Sequence, residues 1–114
     1  MTSRILTALT AVFLLAVGAS ASMAAGNGIG PDEARTAAIK ILKGDPYGST
    51  AAEVAANIAG QEFATHKLCS PDQKNWVFRI AVPASDRHPD GIRGYLVIDA
   101  QTGEMICAGL PFLD

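Results

Sequence analysis

The sequence predicts an α+β domain, with one or two N-terminal helices packed on a three- or four-stranded antiparallel sheet. Three observations carry this expectation. Residues 31–59 hold apolar side chains at helical spacings of three and four. Residues 76–82 and 92–98 place apolar side chains at alternate positions, and a Gly-containing turn at 99–104 separates two strand-like runs. Helices first and strands afterwards is the order of an α+β layer arrangement rather than of alternating βαβ units.

The start of the chain reads as a signal peptide over residues 1–24. Arg4 is the only charge before Asp32, and the apolar stretch Ile5–Val17 follows it. A positive end, an apolar run and then small residues are what a signal peptidase recognises. The run falls short of the roughly 20 residues that span a bilayer. Cleavage fits after Ala21, with Ala19 at −3, or after Ala24, with Ser22 at −3, and Ala24 is favoured. The expected location is periplasmic or secreted, with no stable membrane insertion after cleavage.

Removal of this segment leaves about 90 residues, enough for a single domain with one modest core. Without Arg4, eight basic residues stand against eleven acidic ones, a net charge of −3. No run or face of Lys and Arg is present, so neither a phosphate-tracking nucleic-acid surface nor an anionic membrane is an expected partner. Cys69 and Cys107 both survive cleavage. An even pair in an exported chain predicts a disulfide, and the spacing is not the Cys-x-x-Cys of a redox-active pair.

Residues 25–30 form a flexible lead-in to a domain over 31–114. The first helix begins at Pro31, with Asp32 and Glu33 near the positive end of the dipole, and buries Ala34, Ala37, Ala38, Ile41 and Leu42. Gly44 stops it, and Asp45-Pro46-Tyr47-Gly48 is a turn. A second helix opens at Thr50 with Glu53 three residues on, a capping-box pattern. Its expected buried face is Val54, Ala55, Ile58 and Ala59. Residues 61–68 read equally as more helix or as a first strand.

From Trp76 the chain is β. Trp76, Phe78, Ile80 and Val82 form one buried face, and Pro83 ends the strand. Residues 84–91 are a polar connection. The next strand, Ile92 to Asp99, puts Ile92, Gly94, Leu96 and Ile98 on one face. The turn Asp99-Ala100-Gln101-Thr102-Gly103-Glu104 assigns the positive φ to Gly103, and Glu104 to Ala108 returns.

The run Asn75 to Val82, a polar loop, and then Gly94 to Ile106 with its Asp99-Ala100-Gln101-Thr102-Gly103-Glu104 turn resembles the PepSY domain. The helix at 31–43 falls where that family places its leading helix. The chain adds a second Ala-rich helix and a cysteine pair to that pattern. The resemblance implies a cystatin-like helix-on-sheet fold and an extracytoplasmic module that binds proteins, as an inhibitor or modulator of a peptidase. It brings no catalytic residues. The same helix-then-sheet order, with a Trp-Val strand and an Ile-Asp-x-x-Thr-Gly hairpin, is also similar to periplasmic NTF2-like immunity proteins, which neutralise toxins.

Catalytic patterns are scarce. His66 and His88, with Asp86 and Asp90 nearby, fit no zinc spacing, and no metal or cofactor is expected. No nucleophile elbow, phosphate loop or dinucleotide fingerprint occurs. Cys69 and Cys107 serve better as a disulfide than as a nucleophile beside His66. The expected function is that of an exported, non-catalytic protein-binding module; the alternatives are an immunity protein and, third, a small envelope enzyme with a cleft gathering His66, His88 and acids. The candidate partner surface is the connection carrying Asp86, Arg87, His88, Asp90 and Arg93, extended by Arg79 and Tyr95 on the exposed sheet face. Tyr and Arg are the residue types favoured at interface hot spots.

Overall fold

The computed structural model of the protein describes residues 28–113; the signal peptide expected over 1–24 lies outside them. The fold is α+β. Helices α1 (Pro31–Leu42) and α2 (Ala51–Ala56) precede strands β1 (Ile58–His66), β2 (Ser70–Val82), β3 (Ile92–Ile98) and β4 (Met105–Ala108). The four strands form one antiparallel sheet in the order β1-β2-β3-β4.

Helix α1 starts where Pro31 supplies a helical φ and needs no partner for its nitrogen, and Gly30 precedes it in extended conformation. It buries Ala34, Ala38 and Leu42, with Ala37 and Ile41 packed at the margin. Small residues on that stripe let the helix approach the sheet closely. Within the segment expected to be a flexible lead-in, Ile29 is tied down: its nitrogen donates to the Ala100 carbonyl (2.7 Å), and its carbonyl accepts from Trp76 Nε1 (3.1 Å).

After Gly44 (φ 131) the chain turns, and Tyr47 drops into the core at 2 % exposure. Its hydroxyl donates to the Pro111 carbonyl, which ties the turn to the last segment of the chain. Burial pushes the Tyr47 phenol above its ordinary value of 10.0. The folded state therefore favours the neutral phenol. That contribution is whole below about pH 10 and is lost as pH rises through the raised folded value. Tyr47→Phe is expected to cost about 1 kcal/mol in urea denaturation at neutral pH. It should also flatten the decline in stability above about pH 10; a decline identical to that of the parent would assign the effect to other groups.

Helix α2 opens with the expected capping box. Glu53 N donates to Thr50 Oγ1 (3.2 Å), and Thr50 N donates to Glu53 Oε1 (3.3 Å). The helix is shorter than its sequence suggests. It ends at Ala56, so of the expected face Val54 and Ala55 belong to α2, whereas Ile58 and Ala59 already belong to β1. Asn57 makes the break: its Nδ2 bonds the Tyr47 carbonyl (2.9 Å), and its own carbonyl accepts from Ala81 N (2.9 Å). The ambiguous stretch 61–68 is strand as far as His66.

The helices cover one face of the sheet. Phe78, Ile80, Ile92, Leu96 and Ile98 meet Ala34, Ala38, Leu42, Tyr47 and Val54 there, and Trp76 and Val82 lie at the edge of the same cluster. The register pairs Trp76 with Ile98, Phe78 with Leu96 and Val82 with Ile92, so the apolar sets anticipated for two separate strands form one layer. The 99–104 turn also has the expected form. Gly103 has φ 82, and Asp99 Oδ1 accepts from Gln101 N (2.7 Å) and Thr102 N (3.1 Å).

The other face carries no helix, yet part of it is closed. Ala64 pairs with Asn75, after which the register jumps to His66 with Ser70, setting the exposed residues 71–74 of β2 against Thr65 alone on β1. An insertion of this kind bends a strand. The tip of the β1–β2 hairpin folds back across the sheet, where Cys69 is bonded to Cys107 with a Cα separation of 6.1 Å. Cys107 pairs with Val97, and Val97 with Val77, all on the helix-free face. The folded-back tip accounts for Val77 and Val97 being 7 % and 0 % exposed on a face that alternation alone would leave in water.

Candidate binding surfaces

The seven residues expected to meet a partner fall into two groups. Asp86, Arg87, His88 and Asp90 lie on the β2–β3 connection at one end of the sheet. Arg79, Arg93 and Tyr95 lie on the helix-free face, because β3 turns Arg93 away from the side on which Ile92 is buried.

At the sheet end, the connection is held by its own backbone. Ser85 N and Gly91 N both donate to the His88 carbonyl (2.9 Å each), and His88 N donates to Ser85 Oγ (3.2 Å). Arg87 Nη1 reaches Asp45 Oδ2 at 2.7 Å, joining this loop to the turn after α1. Both side chains are largely exposed, so the pair stabilises by at most about 1 kcal/mol. The His88 ring meets Phe112 edge-on, with centroids 6.1 Å apart. Asp45, Pro46, Arg87, His88 and Phe112 together line a shallow depression. Phe112 is 72 % exposed and has φ 68, a left-handed conformation that costs a bulky residue about 1–2 kcal/mol.

On the helix-free face, Arg79 is the direct cross-strand partner of Tyr95, and Ala81 that of Arg93. The Tyr95 ring lies over Gly109 and stacks against His66 with centroids 4.3 Å apart. Arg79 lies over Gly60 of β1: a Cβ at Gly60 would sit 2.7 Å from both Cζ and Nε of the guanidinium. A side chain at Gly60 would have to displace that guanidinium, the flexible end of an exposed arginine.

His66 and His88 do not share a site, since one packs against Tyr95 and the other meets Phe112 edge-on. Among the described residues no three His, Cys, Asp or Glu side chains converge. Sequence reasoning did not single out Phe112, Asp45 or Pro46. Phe112 carries no local signal, because its exposure and backbone conformation follow from how the chain closes after β4. Asp45 and Pro46 read as an ordinary turn. No family model matches this chain, and neither a curated protein nor a solved structure does.

Proposed function

We propose that this protein is an exported, non-catalytic protein-binding module whose sheet-end surface inhibits or modulates a peptidase. The observation that carries the reading is Phe112: a bulky aromatic held in a left-handed conformation and presented to solvent beside His88, Pro46 and the Arg87–Asp45 pair. Backbone strain retained at an exposed apolar residue is characteristic of ligand contacts. An aromatic anchor with a polar rim is the usual anatomy of an interface hot spot. The Cys69–Cys107 disulfide is compatible with an oxidising, exported location.

The test uses the oxidised chain, residues 25–114, as bait against envelope and secreted protein. Arg87→Ala/His88→Ala and Phe112→Gly serve as matched baits. Each variant is expected to weaken capture of the principal partner about tenfold or more. The melting temperature should hold nearly constant in the double variant and hold or rise in Phe112→Gly, where strain is released. A captured peptidase whose retention depends on these residues supports the proposal. A captured toxin would move the reading to an immunity protein. Capture indifferent to both variants would remove this surface from the function.

A further inference from the structure

The folded-back tip of the β1–β2 hairpin is held closed by little apart from one covalent bond. Among the described residues, no hydrogen bond or ion pair joins residues 67–70 to β3 or β4. The noncovalent links are the His66 ring against Tyr95, with centroids 4.3 Å apart, and the packing over Val77 and Val97. Leu68, at the turn itself, is 73 % exposed and adds almost no burial. Pro71, Asp72, Gln73 and Lys74 lie where the register jumps and are all exposed, so no side-chain packing braces the bend.

The closed position also carries a cost. Ser70 follows Cys69 directly, and its Oγ is buried with no hydrogen-bond partner. A hydroxyl taken out of water and left unpaired disfavours the conformation that buries it. Opening the tip would return that hydroxyl to water and restore conformational freedom to residues 67–74. Exposure of Val77 and Val97 opposes both gains. Closure is therefore a balance of opposed contributions, and the Cys69–Cys107 bond weights it toward the closed side.

We propose that Cys69–Cys107 is a reversible redox clamp, whose reduction by a dithiol releases the hairpin tip and presents the Val77–Val97 strip to solvent while the helix-backed core stays folded. Both cysteines are only half-buried, and Leu68 and Ile106 beside them are exposed, so a thiolate can reach the bond. One thiolate of the dithiol bonds to a cysteine sulfur. The S–S bond breaks, and the other cysteine leaves as a thiolate that takes up a proton. The second thiol of the reductant gives up its proton and displaces the first cysteine, which is protonated in turn. The dithiol ends as a disulfide and the chain as two thiols, a transfer of two electrons and two protons. Phe78, Leu96 and Ile98 pack with the helices on the opposite face of the sheet, away from the tip. The clamp involves neither Arg87, His88 nor Phe112, so it stands or falls independently of the sheet-end surface.

The test follows the chain by NMR when oxidised, in excess dithiothreitol, and after reoxidation, with an inert paramagnetic agent in the solvent. On reduction, broadening of the Val77 and Val97 methyl signals and amide exchange at residues 67–70 should each rise about tenfold or more. The Phe78 and Leu96 signals should keep their positions, and reoxidation should restore the starting spectrum. Ser70→Ala removes the unpaired hydroxyl and should move the open-to-closed ratio of the reduced chain about tenfold toward closed. The proposal is overturned if dithiothreitol does not reduce the folded chain, or if the reduced chain keeps both valines shielded. Unfolding of the whole domain on reduction, or a reduced Ser70→Ala chain that opens as the parent does, would equally overturn it.

Discussion

Replacing Phe78 with alanine will lower the unfolding free energy by about 3–5 kcal/mol, the range found when a buried aromatic is truncated and its cavity persists. Phe78 is fully buried and is the largest side chain wholly removed from water among the described residues. The helix residues in the same cluster include Ala34 and Ala38, which have no side-chain length with which to refill the space. A small domain has only about 5–15 kcal/mol in total, so the variant should unfold at a much lower urea concentration. Phe78→Leu keeps most of the volume and should cost less than half as much. A Phe78→Ala loss near 1 kcal/mol would mean that the helices collapse onto the sheet, contrary to the close packing seen at Ala34 and Ala38.

The second large effect is that of the disulfide. Cys69→Ala/Cys107→Ala is expected to lower stability by about 4 kcal/mol in the loop-closure model, since the bond joins residues 38 apart in sequence. The geometry also specifies where the loss is felt. The bond holds the β1–β2 tip over Val77 and Val97, so its removal should raise hydrogen exchange at 64–77 and 95–98 before it affects α1. Urea denaturation with hydrogen exchange on the same variant reads both quantities. A loss under about 1 kcal/mol would show that the His66–Tyr95 stack and the valines hold the tip without the bond. Two reactive thiols in unreduced, unfolded protein would contradict the bond itself.

Much of the fold was legible because its determinants are local or periodic. Pro31, Asp32 and Glu33 mark the start of α1 by helix-end electrostatics alone. Thr50 and Glu53 close a capping box over three residues. Trp76, Phe78, Ile80 and Val82 alternate because one face of their strand is buried. Gly103 takes a positive φ that its turn requires. Strand β1 was less legible for an equally physical reason: it is an edge strand, and its half-exposed positions give no regular apolar pattern. Strand β2 begins at Ser70 rather than at Trp76, where the alternation starts, because the bulge leaves 71–74 in water and gives them no apolar pattern.

The sequence by itself determined the helix-then-sheet order, the buried sheet face, the cysteine pair and the exposed arginines. These rest on spacing within one element, which the chain carries wherever the element ends up. Only the tertiary structure decided that the hairpin tip folds back to Cys107, because that follows from a register jump between two strands. It alone placed Arg87 and His88 at the sheet end, apart from Arg79, Arg93 and Tyr95 on the helix-free face, because the position of a loop depends on the distant segments it meets, here Asp45 and Phe112. It alone set Phe112 beside His88 and Asp45, three segments distant in sequence that meet where the last turn of the chain packs against the first.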